Sequence, residues 1–493
     1  MTTTTAKATH GFRETERPRE IHVRDGSRIA SHSQSTGASP SVFIEREVTM
    51  SAHPRSGTRD KTGTSARVVL LLCLLAVVFE GYDMVAYGTT LPAMLADPAW
   101  NLTPAQAGVI GSYALVGMLA GSILVGAIAD RLGRRVLMIS ATGWFSAWMG
   151  VCAIAPDATL FGIARFFVGV GVGALIPLAA AMAVEFAPKG KSHTYSAIVW
   201  AGFPGGGVLA ALLGLVVVDA FGVRAMFWIG LLPLLVFVPV MLKYLPESPS
   251  FLLARGRVAD ANHVADCAGI DRPEPPRVGE KIGPRALFTR ELRRATLLFG
   301  LLSACGLLLT YALNTWLPKL MQSSGFGSNS ALTFLLVLNA GAIIVPLFAS
   351  RLSDRVGPQA VTAASLAGAA VAILVLSTDV SSWLLFVLAF VAGAGTIGAQ
   401  VLIYGFAASY FPASSRAAGT AWVASVGRIG GVTGPTLTGL VIANGASVAP
   451  AFYLFAVIAV IGAIAALLVP RQRVTTSAVP TAAAGIAQQS ALS

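Results

Sequence analysis

Charge is scarce in this chain: 12% of its 493 residues are Asp, Glu, Lys or Arg, where soluble domains carry about 25%. That scarcity, with 55% hydrophobic residues and a dozen separate apolar stretches of membrane-spanning length, excludes a soluble fold. Cysteine is equally thin. Cys73, Cys152 and Cys305 fall in apolar stretches and Cys267 in a polar one, with no spacing that fits a zinc site or a disulfide frame. They read as small buried hydrophobes and one loop thiol, and no metal, cofactor or enzymatic chemistry is expected. The formal charge of +12 lies between apolar stretches, not clustered with aromatics on a soluble unit. The expected partner is therefore a lipid bilayer and not nucleic acid.

Residues 1–65 are polar and lack the apolar core of a secretory signal, so they read as a disordered cytoplasmic tail, with Met50 an alternative start. Twelve candidate helices follow: 68–92, 105–128, 136–155, 159–184, 192–217, 223–244, 295–318, 329–350, 359–378, 382–408, 416–443 and 448–469. Each is long enough to cross about 30 Å of hydrocarbon. The expectation is an all-α polytopic membrane protein with six-helix bundles at 66–245 and 295–470, a cytoplasmic central loop at 246–294, and a short polar tail over 471–493.

Alternate connections carry Arg131, Arg134 and Arg135; Lys189 and Lys191; the basic residues between Lys243 and Arg294; Arg351 and Arg355; and Arg416. The opposite connections carry Arg224 and Lys319. Basic residues are retained on the cytoplasmic side, so both termini and the central loop are placed there, in a plasma or inner membrane. An even number of spans requires the same.

The halves are related. Gly126-Ala-Ile-Ala-Asp130-Arg131-Leu-Gly133-Arg134-Arg135 closes the second span of the first half, and Ser350-Arg-Leu-Ser-Asp354-Arg355-Val-Gly357-Pro358-Gln359 closes the second span of the second. Parallel six-helix repeats with a site between them near the midplane are the architecture of major facilitator transporters, and residues 66–470 resemble that superfamily. Gly133 permits a tight reversal, and Asp130 can bond neighbouring donors. The resemblance implies a latch between halves at Asp130, Arg131, Gly133, Arg134 and Arg135. Asp354 and Arg355 form a copy lacking the terminal Arg pair, and Glu185 near the cytoplasmic end of the fourth span joins the gate. The alternative is a charged turn that only fixes topology.

A narrower resemblance starts in the first span. Glu80-Gly81-Tyr82-Asp83, followed by Tyr87-Gly88 and Leu91-Pro92, is similar to the Asp-Gly-x-Asp signature of aromatic acid/proton symporters, the benzoate and 4-hydroxybenzoate transporters among them. Arg165-Phe166 before Gly169, Gly171, Gly173 and Pro177, then Gly202-Phe203-Pro204, Pro246-Glu247-Ser248-Pro249-Ser250-Phe251, Trp316-Leu317-Pro318 and Gly427-Arg428…Gly434-Pro435, fit the same family. Glu80 replaces the usual first Asp, keeping the charge on a longer arm.

A carboxylate in the hydrocarbon zone costs about 2.5–3.5 kcal/mol on insertion scales, so it persists where it faces a cavity, a cation or a proton. Glu80 and Asp83 lie three residues apart on one helical face, where a close pair can share and carry a coupled proton. Arg165 and Arg428, one in each half, are the complementary cations, and a guanidinium fork matches a carboxylate bidentately. The competing readings are a static ion pair with an arginine, and an Arg165 that snorkels to the interface. Tyr82, Tyr113, Trp200, Trp316 and Tyr404 are candidates to clasp an aromatic ring, and Asn314 and Asn339 to bond a ring hydroxyl. Packing explains these aromatics as readily, and the amides can bond another helix.

Glycine runs such as Gly169-Val-Gly171-Val-Gly173 and Gly205-Gly206-Gly207 imitate nucleotide loops, but inside apolar spans they serve close helix packing. Around 249–268, apolar and charged residues alternate as in a short amphipathic surface helix. The expected function is proton-coupled import of a small aromatic carboxylate (benzoate, hydroxybenzoate, gentisate or protocatechuate) by a monomer using alternating access. Open alternatives are a proton antiporter that exports, an importer of another organic acid or a sugar, and a receptor that binds without transport.

Overall fold

The computed structural model describes residues 64–272, 287–412, 415–445 and 447–470. The expected tails, 1–65 and 471–493, lie outside these residues except at positions 64 and 65. Among the described residues, eleven helical segments are long and apolar enough to cross a membrane. The remaining expected span is also helical, over Arg416–Asn444, but its Ser, Thr, Gly and Arg content makes it the least apolar of the set.

The first half contains α1 (Ala66–Ala96), α2 (Pro104–Leu132), α3 (Arg134–Ile154), α4 (Ala158–Glu185) and α5 (Ser192–Phe221). Its sixth span is broken: α6 (Val223–Ile229) passes through a π-helical turn, Pro233–Phe237, into α7 (Val238–Tyr244). Pro233 and Pro239 cannot donate the backbone bonds a continuous helix needs there. Local chemistry sets other boundaries. Thr103 and Gln106 form a capping box at the start of α2, and Asp157 accepts from Thr159 N and Leu160 N at the start of α4.

The central segment forms two short helices, α8 (Pro249–Ala254) and α9 (Val258–Ala268), instead of the single amphipathic helix expected. Gly256, at φ 73°, turns the chain between them. The second half contains α10 (Arg293–Ser323), α11 (Ser328–Val356), α12 (Pro358–Val375), α13 (Ser382–Gly395), α14 (Ile397–Tyr410), α15 (Arg416–Asn444) and α16 (Ala449–Leu468). Helices α13 and α14 are one span interrupted at Thr396. The two copies of the repeat turn on equivalent glycines, Gly133 at φ 90° and Gly357 at φ 100°.

Helices pack closely where glycines remove side chains. Gly81 of α1 lies against the Phe203 carbonyl of α5, and Gly206 against that of Val78. Gly169 and Gly173 of α4 lie against the carbonyls of Ala114 and Met118 on α2, so the glycine run serves packing.

The halves meet through α1 with α10, α2 with α15, and α5 with α11. Ser112 Oγ of α2 donates to Val432 O at 2.6 Å and lies 2.7 Å from Thr436 Oγ1 on α15. Gly88 of α1 sits against Asn314 of α10, and Gly207 of α5 against Asn339 of α11. All these contacts fall in the helix portions away from the basic connections. Nearer the basic end, Ile123 and Leu124 on α2 and Leu347 and Phe348 on α11 are exposed. These apolar side chains continue the outward-facing stripes of their helices, and the cross-half contacts named above lie toward the end opposite the basic loops.

Candidate functional site

Helix α1 carries both acidic residues into the interior, where Glu80 is 2% and Asp83 0% exposed. They address different neighbours. Asp83 Oδ1 pairs with Arg165 Nη1 of α4, inside one half. The Arg165 guanidinium lies 5.4 Å from the Tyr87 ring centroid, and Tyr87 donates its hydroxyl to Ala107 O at 2.7 Å. Arg165 does not snorkel: it is 1% exposed, held by an acid and an aromatic face.

Glu80 looks across the halves. Arg428 of α15 stands within electrostatic range of it, as do Tyr311 of α10 and Tyr404 of α14. Arg428 Nη1 also reaches toward Met118 O on α2 at 3.4 Å. Rings bridge the same gap, with Trp200 and Tyr404 centroids 5.8 Å apart and Phe203 and Tyr311 6.2 Å apart. Three residues along a helix leave about 60° between side chains, enough to aim one carboxylate at α4 and the other at α15. Glu80 Oε2, Asp83 Oδ2 and Arg165 Nε have no hydrogen-bond partner among the described residues, a concentration of unsatisfied groups that native interiors seldom keep without a use.

Other sequence-derived residues lie away from this cluster. Tyr82 donates to Met226 O at 2.7 Å, toward α6. Trp316 is fully buried and donates from Nε1 to Pro435 O at 2.9 Å. Tyr113 is 42% exposed, beside Gly162 on the outside of the bundle. These three pack helices and are not brought to Glu80. Asn339 Nδ2 donates to Asn314 Oδ1 at 2.9 Å, and each amide also bonds the carbonyl four residues earlier in its own helix, so the pair ties α10 to α11.

At the basic end, Glu247 accepts from the backbone N–H groups of Arg134 at 2.8 Å and Arg135 at 3.0 Å, capping α3 with a carboxylate. A β-carbon on Gly133 would collide with that carboxylate, so glycine is required there for space as well as for φ. Arg134 pairs with Glu185, which accepts from Ser248 Oγ at 2.5 Å. Arg255 donates to the carbonyls of Asp130 and Arg131, and Arg135 to Leu242 O. Every partner lies in the first half or the central segment. The expected latch residues thus hold their own half, and Asp354 and Arg355 are exposed.

Sequence reasoning did not single out Tyr311 and Phe203, whose rings meet across the halves, Gln400 and Ser303, which bond each other, or Glu247 and Arg255, which bond the Asp130–Arg135 turn. Gln400 carried a usable signal, an amide inside an apolar run like Asn314 and Asn339.

The sequence pattern described as the Major Facilitator Superfamily matches residues 73–359 and 337–492. A gentisate transporter of Corynebacterium glutamicum is 33% identical over 461 residues, covering 91% of this chain and 98% of that protein. A benzoate transport protein of Acinetobacter baylyi is 33% identical over 386 residues, covering 75% and 82%. Among solved structures, the inward open conformation of a xylose transporter from E. coli superposes with a TM-score of 0.65 at 16% identity, covering 83% of this chain and 98% of that one, a likeness of fold.

Proposed function

Because the chain belongs to the major facilitator superfamily, and is a multi-pass membrane transporter related to carriers of aromatic acids, we propose that it is a proton-coupled importer of a small aromatic carboxylate. The observation that carries this reading is two buried acids on one helix with an arginine for each, Asp83 paired with Arg165 inside one half and Glu80 within electrostatic range of Arg428 across the halves.

The chemistry follows from that division. A substrate carboxylate that binds Arg428 takes the place of Glu80 as its counter-charge, and a proton on Glu80 removes the competition. Rings from both halves, Trp200 and Phe203 on one side and Tyr311 and Tyr404 on the other, supply flat apolar walls for an aromatic substrate. Asp83 couples to the same event through α1, since a proton there releases Arg165. With the basic connections cytoplasmic, as the positive-inside rule has them, the cross-half contacts of Ser112, Gly88 and Asn339 lie toward the outside and form the outer gate. Both termini are then cytoplasmic. Reversal would bring the Asp130–Arg135 turn against the second half.

Uptake of labelled benzoate and hydroxybenzoates by cells expressing the chain tests this. Accumulation above background that a protonophore abolishes, and that Asp83→Asn removes, is expected. Energy-dependent extrusion would replace import with export. Binding without accumulation in proteoliposomes would indicate a receptor, and full active accumulation by Asp83→Asn would remove Asp83 from the coupling.

A further inference from the structure

The second half holds a buried polar cluster that the acid–arginine chemistry leaves unused. Gln400 of α14 is 6% exposed and donates from Nε2 to Ser303 Oγ of α10 at 2.9 Å. Its Oε1 has no hydrogen-bond partner among the described residues. That oxygen faces Gly306 of α10, in space that a β-carbon at 306 would fill. Ser303 Oγ in turn lies against Gly427, the residue before Arg428. One turn beyond Gln400, the Tyr404 ring lies against Trp200 of the other half, centroids 5.8 Å apart, and within electrostatic range of Arg428 and Glu80. The cluster therefore adjoins the cross-half site, and it contains a buried acceptor still in need of a donor.

We propose that Gln400, supported by Ser303 and Tyr404, forms a subsite that reads a hydroxyl group on the substrate ring, so that the carrier selects hydroxylated over unsubstituted aromatic acids. This rests on the aromatic acid reading above and adds a specificity that the relatives' names leave open. A phenolic hydroxyl both donates and accepts. It supplies the missing proton to Gln400 Oε1, and it can accept from the hydroxyl of Ser303, whose oxygen already accepts from Gln400 Nε2. A ring hydrogen, methyl or fluorine supplies no donor and leaves Oε1 buried without a partner. Sites built to bond a hydroxyl reject analogues that lack it far more strongly than apolar pockets reject an extra group.

The test is a competition panel on the full chain in proteoliposomes, using benzoate, the three monohydroxybenzoates and the three monofluorobenzoates, with labelled benzoate and the favoured labelled hydroxybenzoate as transported probes. At least one hydroxybenzoate is expected to be preferred about tenfold or more over both benzoate and the fluorobenzoate of the same ring position. Gln400→Leu is expected to lower that ratio about tenfold, and Ser303→Ala about threefold. The ratio does not depend on how much carrier is folded, and Ser303→Ala decides the matter where Gln400→Leu fails to insert. A wild-type carrier with no such preference overturns the proposal, as do variants whose ratio stays within about twofold of wild type while transport persists. If neither benzoate nor any hydroxybenzoate competes or accumulates, the aromatic acid reading falls as well, so the two failures are distinguishable.

Discussion

Asp83 and Arg165 neutralise each other within one six-helix half, each about 1% exposed, while Glu80, three residues before Asp83, is left to face the other half. The geometry separates two roles that adjacent carboxylates in one helix would otherwise share. The Asp83–Arg165 pair lies within one half, whereas Glu80 and Arg428 belong to different halves, so under the proposed alternating access it is the second relation that a rotation of the halves alters.

The Asp83–Arg165 pair is expected to be costly to break and cheap to remove. Arg165→Leu leaves a buried carboxylate without its cation and should destabilise the protein by about 3–5 kcal/mol, whereas Asp83→Leu with Arg165→Leu should recover most of that loss. Thermal unfolding in detergent of both single variants and the double variant measures the coupling. Additive losses would mean that the pair is not the interaction holding these residues.

Glu80→Gln should separate binding from coupling. With its cross-half acid neutralised, Arg428 is expected to bind benzoate or hydroxybenzoate at least as tightly as in the wild type. Protonophore-sensitive accumulation should meanwhile fall about tenfold or more. Arg428→Ala should instead weaken binding itself, by about 100-fold for a desolvated charge pair. Equilibrium binding and uptake, measured side by side, distinguish the two outcomes.

The contact between α2 and α15 can be locked. Ser112 Oγ and Thr436 Oγ1 stand 2.7 Å apart across the halves, close enough for Ser112→Cys with Thr436→Cys to form a disulfide once Cys267, exposed in the central segment, is replaced by Ser. Oxidation should stop uptake and a reductant should restore it. Undiminished uptake by fully crosslinked protein would mean that this contact does not open during transport.

The Gly133 turn carries two requirements at once, a positive φ and room for the Glu247 carboxylate. Gly133→Ala is therefore expected to cost more than the roughly 1–3 kcal/mol of holding a side chain at φ 90°, ψ 159°, a region almost only glycine adopts. Glu247→Gln, which keeps the acceptor and loses the charge at the α3 N-terminus, should cost about 0.5–1 kcal/mol. Melting temperatures of the two variants test the order, and an equal or reversed order would separate the turn from the cap.

The features legible from the chain alone are those written in contiguous residues. Spans can be read because about 20 apolar residues in a row have few alternatives to crossing a bilayer. The repeat can be read because Asp130…Gly133 and Asp354…Gly357 share one local geometry, and the buried acids stand out because ionised groups are rare in such runs. Tertiary structure alone decided which partners these groups meet. Nothing in the spacing of Glu80 and Asp83 says that one faces α4 and the other α15, because that choice depends on how α1 is packed among its neighbours, with Gly81 admitting the Phe203 carbonyl of α5. The same holds for Tyr82, Trp316 and Tyr113, whose composition suits a binding site and whose packing directs them elsewhere. It holds too for the Arg134–Glu185–Ser248 and Glu247 contacts, which join residues from three separate stretches of chain. A residue's chemistry is local, but the surface it faces is set by the crossing of helices far apart in sequence.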